Sequence, residues 1–244
     1  MKILGIIPAR FASTRFPGKP LIEIGGKTMI ERVYIQSKKC KLLSEVVVAT
    51  DDNRIFDHVI SFGGKAILTS ENHQSGTDRC AEVADKYTDY DVVINIQGDE
   101  PFIDPEQIEV LCNCFLHQQA EIATLIRPIT NVSILENANS PKVVINLNNE
   151  ALYFSRSVIP FIRNQEKENW ANHFPFYQHI GIYGYKTKTL KEIAGLKPSS
   201  LELAENLEQL RWLENGYKIK TAVSSHLSLS IDSPEDLKDI ERYL

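Results

Sequence analysis

The run Ile3-Leu4-Gly5-Ile6-Ile7 opens directly into Pro8-Ala9-Arg10-Phe11-Ala12-Ser13-Thr14-Arg15-Phe16-Pro17-Gly18-Lys19-Pro20-Leu21. This junction constrains the fold more than any other stretch. An apolar run this short, at the edge of a loop, reads as a strand buried on both faces of a parallel sheet. Ligands of open α/β sheets lie just beyond the carboxyl ends of such strands. The loop carries Arg10, Arg15 and Lys19, four or five residues apart, with Pro8, Pro17 and Pro20 stiffening its path. Cations and free backbone N–H groups at that place suit a polyphosphate. A merely solvated loop has no need of that combination.

The same pattern recurs downstream. Glu45-Val46-Val47-Val48-Ala49 reads as a second buried strand, followed by Thr50-Asp51-Asp52 and a helix over 53–62 closed by Gly63-Gly64. A short strand at 65–68, a helix over 77–87, a strand at 91–96, a helix from Pro105 to about 117 and a strand at 123–126 complete a β-α-β series. Short loops between such units predict an α/β fold with a mainly parallel, doubly wound sheet. After Pro128 the pattern changes. Residues 142–147 and 151–154 flank Asn148-Asn149-Glu150 as a hairpin, 179–185 returns to strand, and 201–215 reads as one amphipathic helix ended by Gly216. Ser233-Pro234 opens the last helix as N-cap and first helical residue. We read residues 1–244 as a single domain with a β-rich insertion at about 130–163, suited to dimerisation.

A length of 244 residues allows a substantial core. The formal net charge of -5 argues against general nucleic-acid binding while leaving room for the local basic loop. Cys40, Cys80, Cys112 and Cys114 form no C-x-x-C pair and have no histidine partner, so they predict free thiols in a reducing compartment rather than a zinc site. No stretch approaches the ~20 apolar residues of a membrane span. A soluble, cytoplasmic protein is expected.

Three motifs need sorting. Gly26-Lys27-Thr28 resembles the end of a P-loop, but Leu21 stands where the first glycine belongs, and a hairpin at Gly25-Gly26 explains the pair better. Asp89-Tyr90-Asp91 precedes its strand, at the wrong end for a metal in the ligand crevice. Gln97-Gly98-Asp99-Glu100-Pro101 follows a strand, and Asp99 is placed where a hard-cation carboxylate belongs. Asp232, in Ser230-Ile231-Asp232-Ser233-Pro234, is a turn or cap residue when taken alone and a second metal ligand when paired with Asp99.

Taken together, the N-terminal loop, Gln97–Pro101, His73-Gln74-Ser75-Gly76-Thr77-Asp78-Arg79, Ala151-Leu152-Tyr153-Phe154-Ser155-Arg156, His179-Ile180-Gly181-Ile182-Tyr183-Gly184-Tyr185 and Leu207-Glu208-Gln209-Leu210-Arg211 resemble the 3-deoxy-manno-octulosonate (Kdo) cytidylyltransferases over essentially the whole chain. Two departures stand out: Thr28 where proline is usual, and Ser228–Ser233 in place of a glycine-rich approach and Asp-Thr-Pro. The resemblance implies a nucleotide-diphospho-sugar transferase fold, Mg²⁺, a homodimer, and activation of Kdo by CTP for lipopolysaccharide synthesis. It also implies the roles of individual residues. Arg10, Arg15 and Lys19 hold the triphosphate, and Asp99 and Asp232 hold the metal. Pro8, Ala9, Gln74, Ser75 and Gly76 face cytosine and ribose. Gln97, Arg156, His179, Tyr185, Glu208 and Gln209 face the sugar. The neighbouring readings at this point are the same chemistry on 8-amino Kdo or sialic acid, and a non-catalytic CTP-binding protein of the same fold. A glycosyltransferase is disfavoured by the misplaced Asp89-Tyr90-Asp91.

Overall fold

The computed structural model describes residues 1–12, 16–117, 119–226, 229–231 and 233–237. Its strands are β1 (Ile3–Ala9), β2 (Glu23–Ile24), β3 (Lys27–Thr28), β4 (Glu45–Thr50), β5 (Ala66–Leu68), β6 (Val92–Asn95), β7 (Ile122–Pro128), β8 (Lys142–Ile145), β9 (Ala151–Ser155), β10 (Tyr177–Lys186) and β11 (Ile219–Val223). The main sheet runs β11-β7-β10-β6-β1-β4-β5. Its neighbours are parallel except around β10, which is antiparallel to both β6 and β7. The β8–β9 hairpin joins this sheet through Tyr177↔Val143 and Gln178↔Lys142. β2 and β3 form the small hairpin expected at Gly25-Gly26, where both glycines hold positive φ, 55° and 76°.

The helices are α1 (Met29–Lys39), α2 (Asn53–Ser61), α3 (Gly76–Lys86), α4 (Pro105–Leu116), α5 (Val132–Glu136), α6 (Trp170–His173), α7 (Thr187–Ala194), α8 (Ser200–Glu205) and α9 (Gln209–Glu214). Strand residues alternate between the two sheet faces, and each face has its own core. One is filled by Ile3, Ile7, Val48, Ile94 and Leu125 against apolar residues of α1, α2 and α4. The other is filled by Leu4, Ile6, Val47, Val93 and Ile126 against α3, α7 and α9. This is the doubly wound arrangement, with one reversed strand let into it. All four cysteines are free and buried. Among the described residues no helix is long and apolar enough to cross a membrane.

One expected element differs. The periodicity of 201–215 predicts a single helix, and the structure divides it into α8 and α9 at Asn206, which takes the left-handed conformation (φ 52°). The reason lies outside the segment. The Arg156 guanidinium donates to the carbonyls of Glu205 and Asn206 at 2.7 and 3.2 Å, where a continuing helix would have to use them internally. A bidentate Arg211–Glu202 pair then ties the two short helices together across the break.

Gly184 on β10 packs closely against the ring of Phe115. A Cβ there would lie 2.5 Å from Phe115 Cε2 and 2.9 Å from Ile94 Cδ1. Gly184→Ala should therefore destabilise the fold by about 1–3 kcal/mol through overpacking. Urea melts check it, and an unchanged midpoint would show that the ring has room to move.

Candidate active site

The carboxyl ends of β1 and β6 lie side by side, so the loops that leave them share one edge of the sheet. Gly98 lets these loops meet closely: a Cβ there would lie 2.7 Å from the Pro8 carbonyl oxygen. Along this edge runs an open cleft with three adjoining compartments. The first, about 530 Å³, is lined by Pro8, Ala9, Arg10, Lys19, Gly76 and Asp99 among others. The second, about 270 Å³, takes in Thr77, Asn95, Tyr183, Glu208 and Gln209. The third, about 330 Å³, takes in Asp99, Arg127, Asn139, Gln178 and His226. Gln97 lines all three and is held by its amide, which donates to the Gly181 carbonyl at 2.7 Å.

In the first compartment Arg10 is tethered by a 2.8 Å bond to the Gln74 carbonyl. Lys19 Nζ reaches both Asp99 Oδ2 and the Ile231 carbonyl at 2.8 Å. Gln74 thus contributes its backbone. Ser75 is spent as the N-cap of α3, in a capping box with Asp78. Arg15 and Asp232 lie outside the described residues.

The second compartment is rich in neutral donors and acceptors. Thr77 Oγ1 donates to Glu208 Oε2 at 2.8 Å. Burial raises the Glu208 carboxyl above its ordinary value, opposed by bonds from Thr77 and Ser75. Gln209 Nε2 is buried with no hydrogen-bond partner among the described residues, which suits a ligand hydroxyl. His179 packs between Phe154 and Tyr183, and desolvation pushes its pKa down to about 3. Thr124 Oγ1 lies 3.0 Å from His179 Nε2 and 2.8 and 3.2 Å from the carbonyls of Ile182 and Ile180.

Two expected sugar contacts are placed elsewhere. Tyr185 is wholly buried against Trp212 and lines no part of the cleft. β10 runs antiparallel, so each later residue is farther from the carboxyl edge: Tyr183 pairs with Asn95 at the cleft, whereas Tyr185 pairs with Val93, deeper in the sheet. Arg156 is also absent from the cleft. Its guanidinium donates to the carbonyls of Glu205, Asn206 and Ala138, and it borders a separate cavity with Phe161 and Trp170. The rule that a polar residue at the end of a buried strand faces the ligand fails for Arg156 because β9 belongs to the outlying hairpin, two strands removed from β6. The same rule applied to β7 identifies Arg127, which the sequence reading passed over. Thr77, Asn95, Tyr183, Gln178 and His226 were passed over too. His226 is held by Asp104 Oδ2 and Glu106 Oε2 at 2.9 and 3.3 Å, so its ring is engaged with the start of α4.

A cationic loop with a carboxylate at its edge, joined through Gln97 to an oxygen-rich pocket on a mixed sheet of this order, defines a nucleotidyltransferase with a nucleotide-sugar transferase type of fold. The chain belongs to the cytidylyltransferase family, whose model matches residues 4–219, and within it to the 3-deoxy-manno-octulosonate cytidylyltransferases. It is 57% identical over 248 residues to the 3-deoxy-manno-octulosonate cytidylyltransferase of Bacteroides thetaiotaomicron, covering 100% of this chain and 98% of that one. It is 49% identical over 245 residues to that of Fusobacterium nucleatum, covering 100% and 97%. The solved structure of CMP:2-keto-3-deoxy-manno-octonic acid synthetase complexed with CTP superposes with a TM-score of 0.92 at 40% identity, covering 100% of this chain and 98% of that one.

Two outcomes follow for the site. Arg156→Ala removes three bonds from a charged donor to backbone carbonyls, each worth about 1.5–3 kcal/mol at most and less where water competes. It should lower the melting temperature by several degrees, and wild-type stability in the variant would contradict the stapling role. Glu208 supplies a pH signature. Its folded pKa lies above the ordinary 4.5, so across that window the folded state keeps a proton that the unfolded state releases, and stability falls as pH rises. Glu208→Gln lacks this loss. Urea midpoints should show the variant gaining on wild type between pH 4 and pH 7, and a constant difference would place the carboxyl in a wetter setting.

Proposed function

We propose that this chain transfers a cytidylyl group from CTP to 3-deoxy-manno-octulosonate, giving CMP-Kdo and pyrophosphate for lipopolysaccharide synthesis. The observation that carries the reading is the meeting of the cationic and the oxygen-rich compartments at Gln97, with Asp99 lining the cationic one, in a chain 57% identical to a relative of that name. The anomeric hydroxyl attacks the α-phosphorus, a C–O–P link forms, and the bond to the pyrophosphate oxygen breaks in line with it. Catalysis on this reading is positioning and charge neutralisation.

Arg10 and Lys19 hold the phosphates, with Arg15 a further candidate. Pro8, Ala9 and Gly76, with the Gln74–Ser75 backbone, form the nucleotide wall. Gln97, His179, Glu208 and Gln209 bind the sugar. Asp99 fits a hard divalent cation, because carboxylate oxygens are hard donors and these line both the nucleotide and the third compartment. Mg²⁺ is the proposed ion and Asp232 the proposed second ligand; when bound, it supplies positive charge to the phosphate oxygens. A homodimer formed through the insertion at about 130–163, and a cytoplasmic location, complete the proposal.

Pyrophosphate release from CTP with Kdo, compared against sialic acid and the 8-amino analogue, tests the reading. Kdo should be preferred, and CTP binding without turnover on any of the sugars would leave a nucleotide-binding protein. Asp99→Asn should lose 10²-fold or more in turnover at saturating Mg²⁺ while keeping an oxygen acceptor for Lys19. A near-normal rate would remove Asp99 from the ligand set.

A further inference from the structure

The carboxylate of an acidic sugar needs a cation, and the structure commits the expected one, Arg156, to three backbone carbonyls. Arg127 occupies a different position. It stands at the carboxyl end of β7, directly opposite Gln178 on β10, with its side chain in the third compartment. β7 and β6 both run antiparallel to β10, so Arg127 shares the sheet edge that carries Gln97 and Asp99. Among the described residues its guanidinium makes one hydrogen bond, to Gln178 Oε1 at 2.8 Å. A guanidinium has five N–H donors, so Gln178 orients the fork and leaves most of it for a ligand. No other arginine or lysine among the described residues lines the second or third compartment.

The division of chemistry between these two compartments indicates what each receives. The second is built from Thr77, Asn95, Gln209 and the buried Glu208, a set that hydrogen-bonds hydroxyls and offers an anion no cation. The third adjoins Asp99, whose charge Lys19 offsets. On the functional reading above, on which this inference rests, the attacking anomeric oxygen lies where the nucleotide compartment meets the other two. In a sugar derived from an α-keto acid, the carboxylate is bonded to that same anomeric carbon. It therefore falls beside Asp99, while the hydroxylated ring and tail extend toward Glu208 and Gln209. We infer that Arg127, held by Gln178, is the carboxylate-recognition residue of the acceptor site and restricts the enzyme to sugars that carry an acid group on the anomeric carbon.

The test is steady-state kinetics of Arg127→Ala, Arg127→Lys and Gln178→Ala with CTP and Kdo, together with inhibition by the carboxamide of Kdo. Arg127→Ala should raise the KM for Kdo roughly 10- to 150-fold, the range expected for one charge-assisted hydrogen bond. The KM for CTP should stay within about twofold, and the melting temperature should be unchanged. Wild type should bind the acid more tightly than the carboxamide, and Arg127→Ala should bind the two alike. Lysine should restore little, because a point charge does not reproduce the planar fork. Gln178→Ala should show a smaller rise of the same kind. An unchanged KM for Kdo overturns the assignment, as does a rise confined to CTP, which would put Arg127 on the phosphates. Wild-type turnover with Kdo separates the failures: with turnover present and Arg127→Ala silent, this inference alone falls, and with turnover absent the functional reading falls with it.

Discussion

Asp99 and Ile231 lie 80 and 212 residues beyond Lys19 in sequence, and the Lys19 ammonium joins them. The backbone completes the junction, with Ile231 N–H donating to the Asp99 carbonyl at 3.0 Å. Ile231 itself is buried against Ile24 and Met29. The first loop, the loop after β6 and the segment leading to the last helix thus meet at a single point, and the cleft is arranged around it. The same pair defines the chemistry. An isolated carboxylate at the cleft edge would repel a triphosphate, and the Lys19 ammonium offsets that charge without removing the oxygens a cation needs.

Much of this was legible in the chain because it follows from strand polarity. Residues just past β1 and β6 must emerge at one edge of a parallel sheet, so Arg10, Lys19 and Asp99 could be assigned to a common site from sequence, while Pro8 and Gln97 came with the family resemblance. Asn206 and Arg156 were not legible in this way. The apolar periodicity of 201–215 is realised in its second part, where Leu207, Leu210 and Trp212 are buried. What ends the first helix is a guanidinium 50 residues upstream, and periodicity carries no information about a competitor for backbone carbonyls. Tyr185 illustrates a second limit. Placing it in the cleft by resemblance required knowing how far along an antiparallel strand the cleft extends, and that depends on register with β6.

The reversed strand also accounts for the shape of the acceptor site. Its register shifts between Ile180 and Tyr183, and the Gly181 carbonyl released there holds the Gln97 amide. Ordinary strand alternation sends Gln178 to one face of the sheet and His179 to the other, toward Phe154 and Tyr183. β10 lines both the second and the third compartment, and Gln97 stands between them.

The walls of the cleft are not equally robust. The nucleotide wall rests on β1 and β6 at the centre of the sheet, with core packed on both faces. Glu208 and Gln209 stand at the start of α9, which packs against α8; the two helices have six residues each, too short to persist without tertiary support. That support comes from Leu210 and Trp212 in the core, from Arg156 of the hairpin and from the Arg211–Glu202 pair. The two halves of the active site therefore rest on different elements. Substitutions in the hairpin or in the short helices can alter which acceptor is taken while leaving the nucleotide grip in place, so a scaffold of this design can diverge in its sugar while keeping its cytidine.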